Sequence, residues 1–402
     1  MEKIKSYNTH DSGIDIFRGL AVLSVILLHL NIRIPFSGTF LGSMMPKPIY
    51  SIFFWSGYYG VCTFFVISGF LITKSALNKW SSLPKVSLRG FYTMRIARVM
   101  PMLLSLLFVL SLLHFSGIEE FVINPAKTSL GRAIFAALTF HINWLEIQVG
   151  YLPGPWDILW SLSIEEFFYF FFPIVCFFCR KEWHFVALVS VFLIISPFAR
   201  TTWYPGNELA DKNHFAYLDA ISLGCIAALV SRRIELKKNA LLIMKIAGWL
   251  LFGLVFFFRK WVYSIGITSI GLNVSLLAIG AALILICMNK SFSKNPKTPS
   301  KFTEPLLILG RNSYEIYLTH IFIVIAFVYI FDSMKLSGEW IWALYISVIV
   351  LSAVLGNLIA QYFSNPVNLI IRKRSNIKFA AEKASLKEDL PEEQLSEEQE
   401  AR

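Results

Sequence analysis

Charge is scarce in this sequence. Asp, Glu, Lys and Arg make up 16% of it, against a hydrophobic share of 56% and a mean hydropathy of +0.60. That balance excludes an ordinary soluble domain, whose core does not require apolar runs of about 20 residues repeated along the whole chain. Cysteine is scarce too. Cys62, Cys176, Cys179, Cys225 and Cys287 all fall in or beside apolar runs, none in the long polar loops where an oxidising compartment would favour bridges. Cys176 and Cys179 form a C-x-x-C with no second pair or nearby His to complete a zinc set, so apolar packing is expected there and no metal. The sequence has no H-E-x-x-H, no Walker-type glycine loop and no G-x-G-x-x-G, which argues against a zinc protease, an ATPase and a nucleotide-binding fold. A cleavable signal is lacking as well: Glu2 to Asp15 is polar, and the first apolar run reaches Arg33 without an A-x-A site. That run is expected to stay as an anchor.

What is there is long apolar runs. Ten candidate spans lie near 14–33, 57–77, 99–116, 158–179, 184–200, 214–231, 241–258, 264–288, 311–331 and 340–370. Each is close to the roughly 20 residues a helix needs to cross a bilayer, so the expected fold is all-α, a polytopic membrane helical bundle. Placing the N terminus inside puts Lys79, Lys85, Arg89, Arg95, Arg98, Arg232, Arg233, Lys237 and Lys238 among a large cytoplasmic excess, and leaves only scattered basic residues such as Lys47, Arg132 and Lys212 outside. Both termini are thus expected in the cytoplasm. The net charge of +11 reads as topology, with no nucleic-acid partner. The expected organisation is a cytoplasmic tail at 1–13, a transmembrane domain at 14–372, and a charged, disordered cytoplasmic tail at 373–402. One outer connection, Gly117 to Asp157, contains an apolar stretch too short to span, Ile134 to Trp144, expected as an interfacial or re-entrant helix. Trp144, Tyr151, Trp156 and Trp160 suit either sugar stacking or a membrane-interface belt.

Ionisable residues inside such runs cost at least about 2.5 kcal/mol unless they meet water or a partner, so they mark cavities. The first span carries two, Arg18 and His29, eleven residues apart. That spacing is three turns plus about 20°, which puts both on one face, roughly 16 Å apart along the axis. Arg18 then sits near the cytoplasmic mouth and His29 in the outer half. Arg95 and Arg98, three apart, share a helical face and suit a phosphate-rich ligand, although arginines snorkelling at an inner boundary would look the same. Glu165, in WSLSIEEFFYFFFP, comes at a depth similar to that of His29, where a carboxylate could orient the imidazole. Adjacent Glu166 points about 100° away and reads as packing or gating. Asp219 in the sixth span and His320 near mid-depth of the ninth, with Ser68 and Tyr314, are further candidates for lining the path.

Asp15-x-x-Arg18-x10-His29, GVCTFFVISGFLIT, Arg95-x-x-Arg98, WSLSIEEFFY, YLDAISLG and SYEIYLTH occur here in one order. This series resembles the acyltransferase family 3 membrane proteins, bacterial enzymes that O-acylate lipopolysaccharide, peptidoglycan, exopolysaccharide or related glycans, over about residues 11–372. The resemblance implies a ten-span bundle of the bacterial inner membrane that takes an acetyl group from cytoplasmic acetyl-CoA and delivers it to an extracytoplasmic glycan or lipid-linked glycan. It gives Arg18 and His29 the family's hallmark roles, makes Arg95 and Arg98 the donor-side pair, and makes Glu165 the acidic residue after the Trp-Ser motif. Cys62, Phe167 and Tyr217 stand where the family often has Asp, Gln and Arg. The fused esterase-like domain of some members is not in this sequence, so transfer is expected to end with this chain or to use a separate periplasmic partner.

Residues and resemblance together suggest that acetyl-CoA phosphates are gripped by Arg18, Arg95 and Arg98 while the thioester lies near His29, which acts as general base or as acyl carrier. Rival readings are transfer of another acyl group such as succinyl, a secondary transporter using the buried charges as an ion path, and an inactive structural subunit.

Overall fold

The computed structural model describes residues 11–294 and 300–375. Most of the two expected tails, 1–13 and 373–402, therefore lies outside the described residues. Hydrocarbon offers backbone groups no water, so an apolar chain satisfies them within helices. Ten helices form the body: α1 Ser12–Arg33, α2 Gly57–Trp80, α3 Leu88–Phe115, α4 Leu159–Phe178, α5 Glu182–Thr201, α6 Leu218–Arg233, α7 Lys238–Phe257, α8 Leu272–Lys294, α9 Ser313–Ser333 and α10 Gly338–Ser375. No strand occurs among the described residues. Their starts follow local chemistry. The Asp11 side chain accepts from Gly13 N (3.1 Å) to open α1, and Ser87 caps α3 through Gly90 N (3.2 Å).

Successive helices run in opposite directions. We call the end where α1 begins proximal and the other distal. At the proximal end Lys74 of α2 reaches Asn289 of α8 (2.6 Å) and Arg232 of α6 reaches Asn78 of α2 (2.7 Å); at the distal end Arg259 reaches the Trp55 carbonyl (2.6 Å). The centre belongs to α2, 72% of whose apolar window is buried, whereas α7 at the rim is 17% buried and exposes Leu242, Ile243 and Leu250. Such outward apolar surface is what a bilayer covers.

The structure corrects several expectations. Among the described residues nine helices, not ten, are long and apolar enough to cross a membrane. The exception is α6, of 16 residues, about 24 Å at 1.5 Å per residue. Its place in the bundle comes from backbone contact with α2. A Cβ on Gly69 would lie 1.9 Å from the Ile221 carbonyl oxygen, and one on Gly224 2.0 Å from that of Val66. Helix α3 begins at Leu88 rather than near 99, because Arg95 and Arg98 lie inside the helix and not before it. Helix α8 begins at Leu272 rather than near 264, since Gly266 (φ 79°) and Gly271 (φ 73°) turn the chain first. The single helix expected at 134–144 is two, Leu130–Leu138 and Ile142–Val149, broken at Phe140, whose φ is 56°. Trp156 and Trp160 are buried, Trp156 donating to the Phe121 carbonyl (3.2 Å), so of the four aromatics singled out in the sequence only Tyr151 is exposed.

Gly224→Val should wedge α2 and α6 apart. Overpacking costs about 1–3 kcal/mol, so the expected outcome is a thermal transition in detergent lowered by several degrees, read by size-exclusion after heating; an unchanged transition would contradict the close backbone contact.

Candidate active site

A cavity of about 290 Å³ lies between α1, α2, α3, α4 and α9, reaching from Arg18 and Ser75 on the proximal side to Val61, Ser161 and Leu162 near the distal starts of α2 and α4. Arg18, Ser68, Arg95, Arg98, Glu165 and Tyr314 all line it. The chain segments converge for simple reasons. Arg95 and Arg98, three apart on α3, present one face. Ser313, Tyr314 and Tyr317 occupy the first turn and a half of α9, where they meet α1 and α3. Each guanidinium is held. Arg18 donates through Nη2 to Ser313 Oγ (2.8 Å), and its Nη1 lies 3.6 Å from Asp15 Oδ1. Arg95 pairs with Glu166 and stacks 3.9 Å above the Tyr169 ring. Arg98 forks onto Glu315, Nη1 to Oε1 at 2.9 Å and Nη2 to Oε2 at 3.2 Å, with the Tyr314 ring 5.0 Å away. A planar guanidinium that pairs with a carboxylate and stacks on a ring at once suits arginine and not lysine. Ser68 meets the Tyr169 hydroxyl and hydrogen-bonds Glu165.

His29 is not on this cavity. Its imidazole faces that of His320, ring centres 5.1 Å apart, and Tyr317 stands between this pair and the cavity. The Tyr317 ring is 5.9 Å from His320, and its hydroxyl bonds Ser161 Oγ (2.8 Å) and donates to the Ile158 carbonyl (3.0 Å). The expectation that Glu165 orients His29 is therefore not met: Glu165 interacts with Ser68, Arg95 and Arg18. Helix α1 packs on α2 and α9, and the Tyr317 face of α9 intervenes before α4. Asp219 is elsewhere again. It is fully buried in a bidentate pair with Arg200 (2.9 and 2.8 Å), accepts from Ser275 Oγ (2.5 Å), and receives Ser196 Oγ at its own backbone N–H (3.0 Å). Its place is the α5, α6 and α8 junction, not the path.

Reasoning from sequence missed Glu315, and read Glu166 only as packing or gating, although each anchors an arginine. A carboxylate inside an apolar span was the available signal for both. Tyr317 and Ser161 carried none. On the distal side Lys212 is enclosed by Glu146 (2.8 Å), Asp157 and the Tyr151 ring (4.5 Å). Burial pulls its ammonium pKa down, but the Asp157 and Glu146 carboxylates outweigh that and hold it above the usual lysine value. This cluster fastens the Ile142–Val149 helix over the distal end near His29. All five cysteines are free and buried, as apolar packing requires.

The family model described as acyltransferase domain matches residues 11–362, nearly the whole described chain. The protein belongs to that family. It is similar to O-acetyltransferase OatA of Staphylococcus aureus (strain NCTC 8325 / PS 47), with 28% identity over 378 residues, 88% of this chain and 57% of that protein. It is also similar to the protein named "Putative O-acetyltransferase SACOL0978" of Staphylococcus aureus (strain COL), with 26% identity over 398 residues, 91% of this chain and 59% of that protein. The chain thus spans less than two thirds of the length of these curated relatives. No solved structure matches it.

The paired arginines give a direct check of this candidate site. Glu315→Gln strands Arg98 without its carboxylate and should destabilise the protein by roughly 3–5 kcal/mol, whereas Glu315→Met with Arg98→Met should recover much of the loss. Thermal unfolding of the single and double variants in detergent reads both.

Proposed function

We propose that the protein is a membrane O-acetyltransferase that carries an acetyl group from acetyl-CoA at the cytoplasmic end to a hydroxyl of an extracytoplasmic glycan. The observation that supports this most is the convergence of Arg18, Arg95 and Arg98 on one cavity while His29, on the same helix as Arg18, stands at the other end of the route. Lys79, Lys85, Arg89, Arg180, Lys181, Arg232, Arg233, Lys237 and Lys238 lie at the proximal end, and this bias of basic loops supports reading that end as cytoplasmic and the distal end as facing outward from a bacterial inner membrane. The O-acetyltransferase names of the relatives agree with acetyl as the group and oxygen as its destination.

In this reading the phosphates of the donor are bound by guanidiniums already fixed in place. Glu166 and Glu315 orient Arg95 and Arg98, and a phosphate shares or takes over the fork of hydrogen bonds. The pantetheine arm, uncharged and extended, follows the α1 face past Tyr317 toward His29. There the acceptor hydroxyl gives its proton to the His29 imidazole as its oxygen bonds to the acetyl carbon. The carbon–sulfur bond then breaks, and the coenzyme A thiolate takes that proton to leave as the thiol. An acetyl-imidazole formed on His29 and passed to the hydroxyl gives the same products in two steps. Glu165, on the cavity wall beside Ser68, is close to the donor rather than to the imidazole, and we assign it to holding the amide-rich arm.

His29→Gln should abolish transfer to surface glycan while leaving acetyl-CoA binding within about twofold; intact acetylation at equal protein level would contradict the mechanism. Arg95→Ala with Arg98→Ala should weaken donor binding at least tenfold and flatten its dependence on salt, because the lost contacts are ionic. Titration calorimetry of purified protein at two salt concentrations measures both, and equal affinity and slope would refute the donor site. Succinyl-CoA run in the same assay tests the neighbouring choice of acyl group.

A further inference from the structure

His320 is fully buried, and its two ring nitrogens are in different situations. Nδ1 lies 2.7 Å from the Tyr317 carbonyl oxygen and 3.3 Å from that of Ile316. A carbonyl oxygen only accepts, so Nδ1 carries the hydrogen. In the neutral ring Nε2 is then a bare lone pair, and it has no hydrogen-bond partner among the described residues. An acceptor buried without a donor costs roughly 1–3 kcal/mol, and such orphans in native proteins call for a reason. Beside it is the His29 ring, whose side chain makes no hydrogen bond among the described residues, with its centre 5.1 Å away and tilted by 53°. That separation has a meaning. Ring nitrogens sit about 1.1 Å from an imidazole centre, so an N–H···N bond of about 2.9 Å joins centres about 5.1 Å apart. A turn of the His29 ring about its Cβ–Cγ bond is the movement that would carry one of its N–H groups to that lone pair.

We infer that His320 is the positioning residue for His29: locked by the Tyr317 carbonyl with its hydrogen on Nδ1, it accepts the His29 N–H at Nε2 and leaves the opposite His29 nitrogen as the free base. The inference rests on the acetyltransfer reading for its consequence, not for its geometry. No proton changes hands between the two rings. His320 does for His29 what a buried carboxylate does for the histidine of a hydrolytic triad, with a neutral acceptor in a place where a bare charge would be costly. It also accounts for Glu165 lying elsewhere: the role of orienting acceptor is already filled from α9.

The test uses the full chain in detergent or nanodisc, with 15N-histidine labelling and acetyl-CoA turnover. In wild type the His320 nitrogens should show the Nδ1–H tautomer and His29 a single tautomer. His320→Leu, which keeps the apolar packing, should let His29 populate both tautomers and lower kcat at least tenfold with the donor KM unchanged. His320→Gln, whose amide oxygen can accept at the Nε2 position, should restore most of the rate. An unchanged His29 spectrum in His320→Leu overturns the inference, as does a Gln variant no better than Leu when both unfold at the wild-type temperature. If the wild-type protein turns over no donor with any acceptor, the acetyltransfer reading fails, while the tautomer spectra still decide whether His320 positions His29.

Discussion

A guanidinium cannot be kept in a hydrocarbon-depth cavity without an anion or strong acceptor beside it, and this requirement governs the arrangement of the whole proximal half. A sequence with so little charge places Glu166 against Arg95, Glu315 against Arg98, and Ser313 with Asp15 against Arg18. Except for Asp15 with Arg18, both on α1, the partners come from different helices, so satisfying them also fixes how α1, α3, α4 and α9 meet. What is left between them is a space lined by fixed donors. Because each arginine already has a partner, a bound phosphate would exchange one anionic contact for another rather than neutralise a naked charge. Binding by exchange is weaker than binding to an uncompensated cation and correspondingly easier to reverse, as a donor that must leave after each turnover requires.

The distal half obeys a different rule. Between its imidazoles and the three cavity arginines stands Tyr317, which lines the cavity, lies 5.9 Å from His320 and is pinned to Ser161 and to the Ile158 carbonyl. The face of α1 that carries both Arg18 and His29 runs from the cavity to the imidazole pair. A helix fixes their spacing at about 1.5 Å per residue, so this single element sets the length of any molecule that touches both. An extended donor arm is the kind of ligand that can pass Tyr317 while its phosphates stay behind.

Much of the fold was legible because apolar runs and basic loops report hydrocarbon directly: every expected span corresponds to a helix. The failures have physical causes. Helix α6 is too short to qualify as a span because backbone contact at Gly69 and Gly224 holds it where length would otherwise have to. The starts of α3 and α8 moved because helix propensity ignores where charge begins, whereas glycines at positive φ do not. Within the site, a shared helix face was readable from an eleven-residue spacing, but which helices touch was not. Glu165 was expected beside His29 on depth alone, and depth says nothing about angular position around the bundle axis. Asp219 and Arg200, 19 residues apart, form a structural pair that no local pattern announces. Glu315 was the avoidable miss, since a carboxylate in the first turn of an apolar helix always needs a partner.

The central claim is that one extended ligand joins the arginine chamber to the imidazole pair along α1. A structure of the protein with a non-cleavable acetyl-CoA analogue in a lipid nanodisc tests it most directly. The account predicts phosphates within hydrogen-bond distance of Arg18, Arg95 and Arg98, Tyr317 turned aside, and the acetyl carbonyl within reach of the His29 ring. An analogue bound with its phosphates away from all three arginines, or with its acetyl end confined behind an unmoved Tyr317, would contradict it.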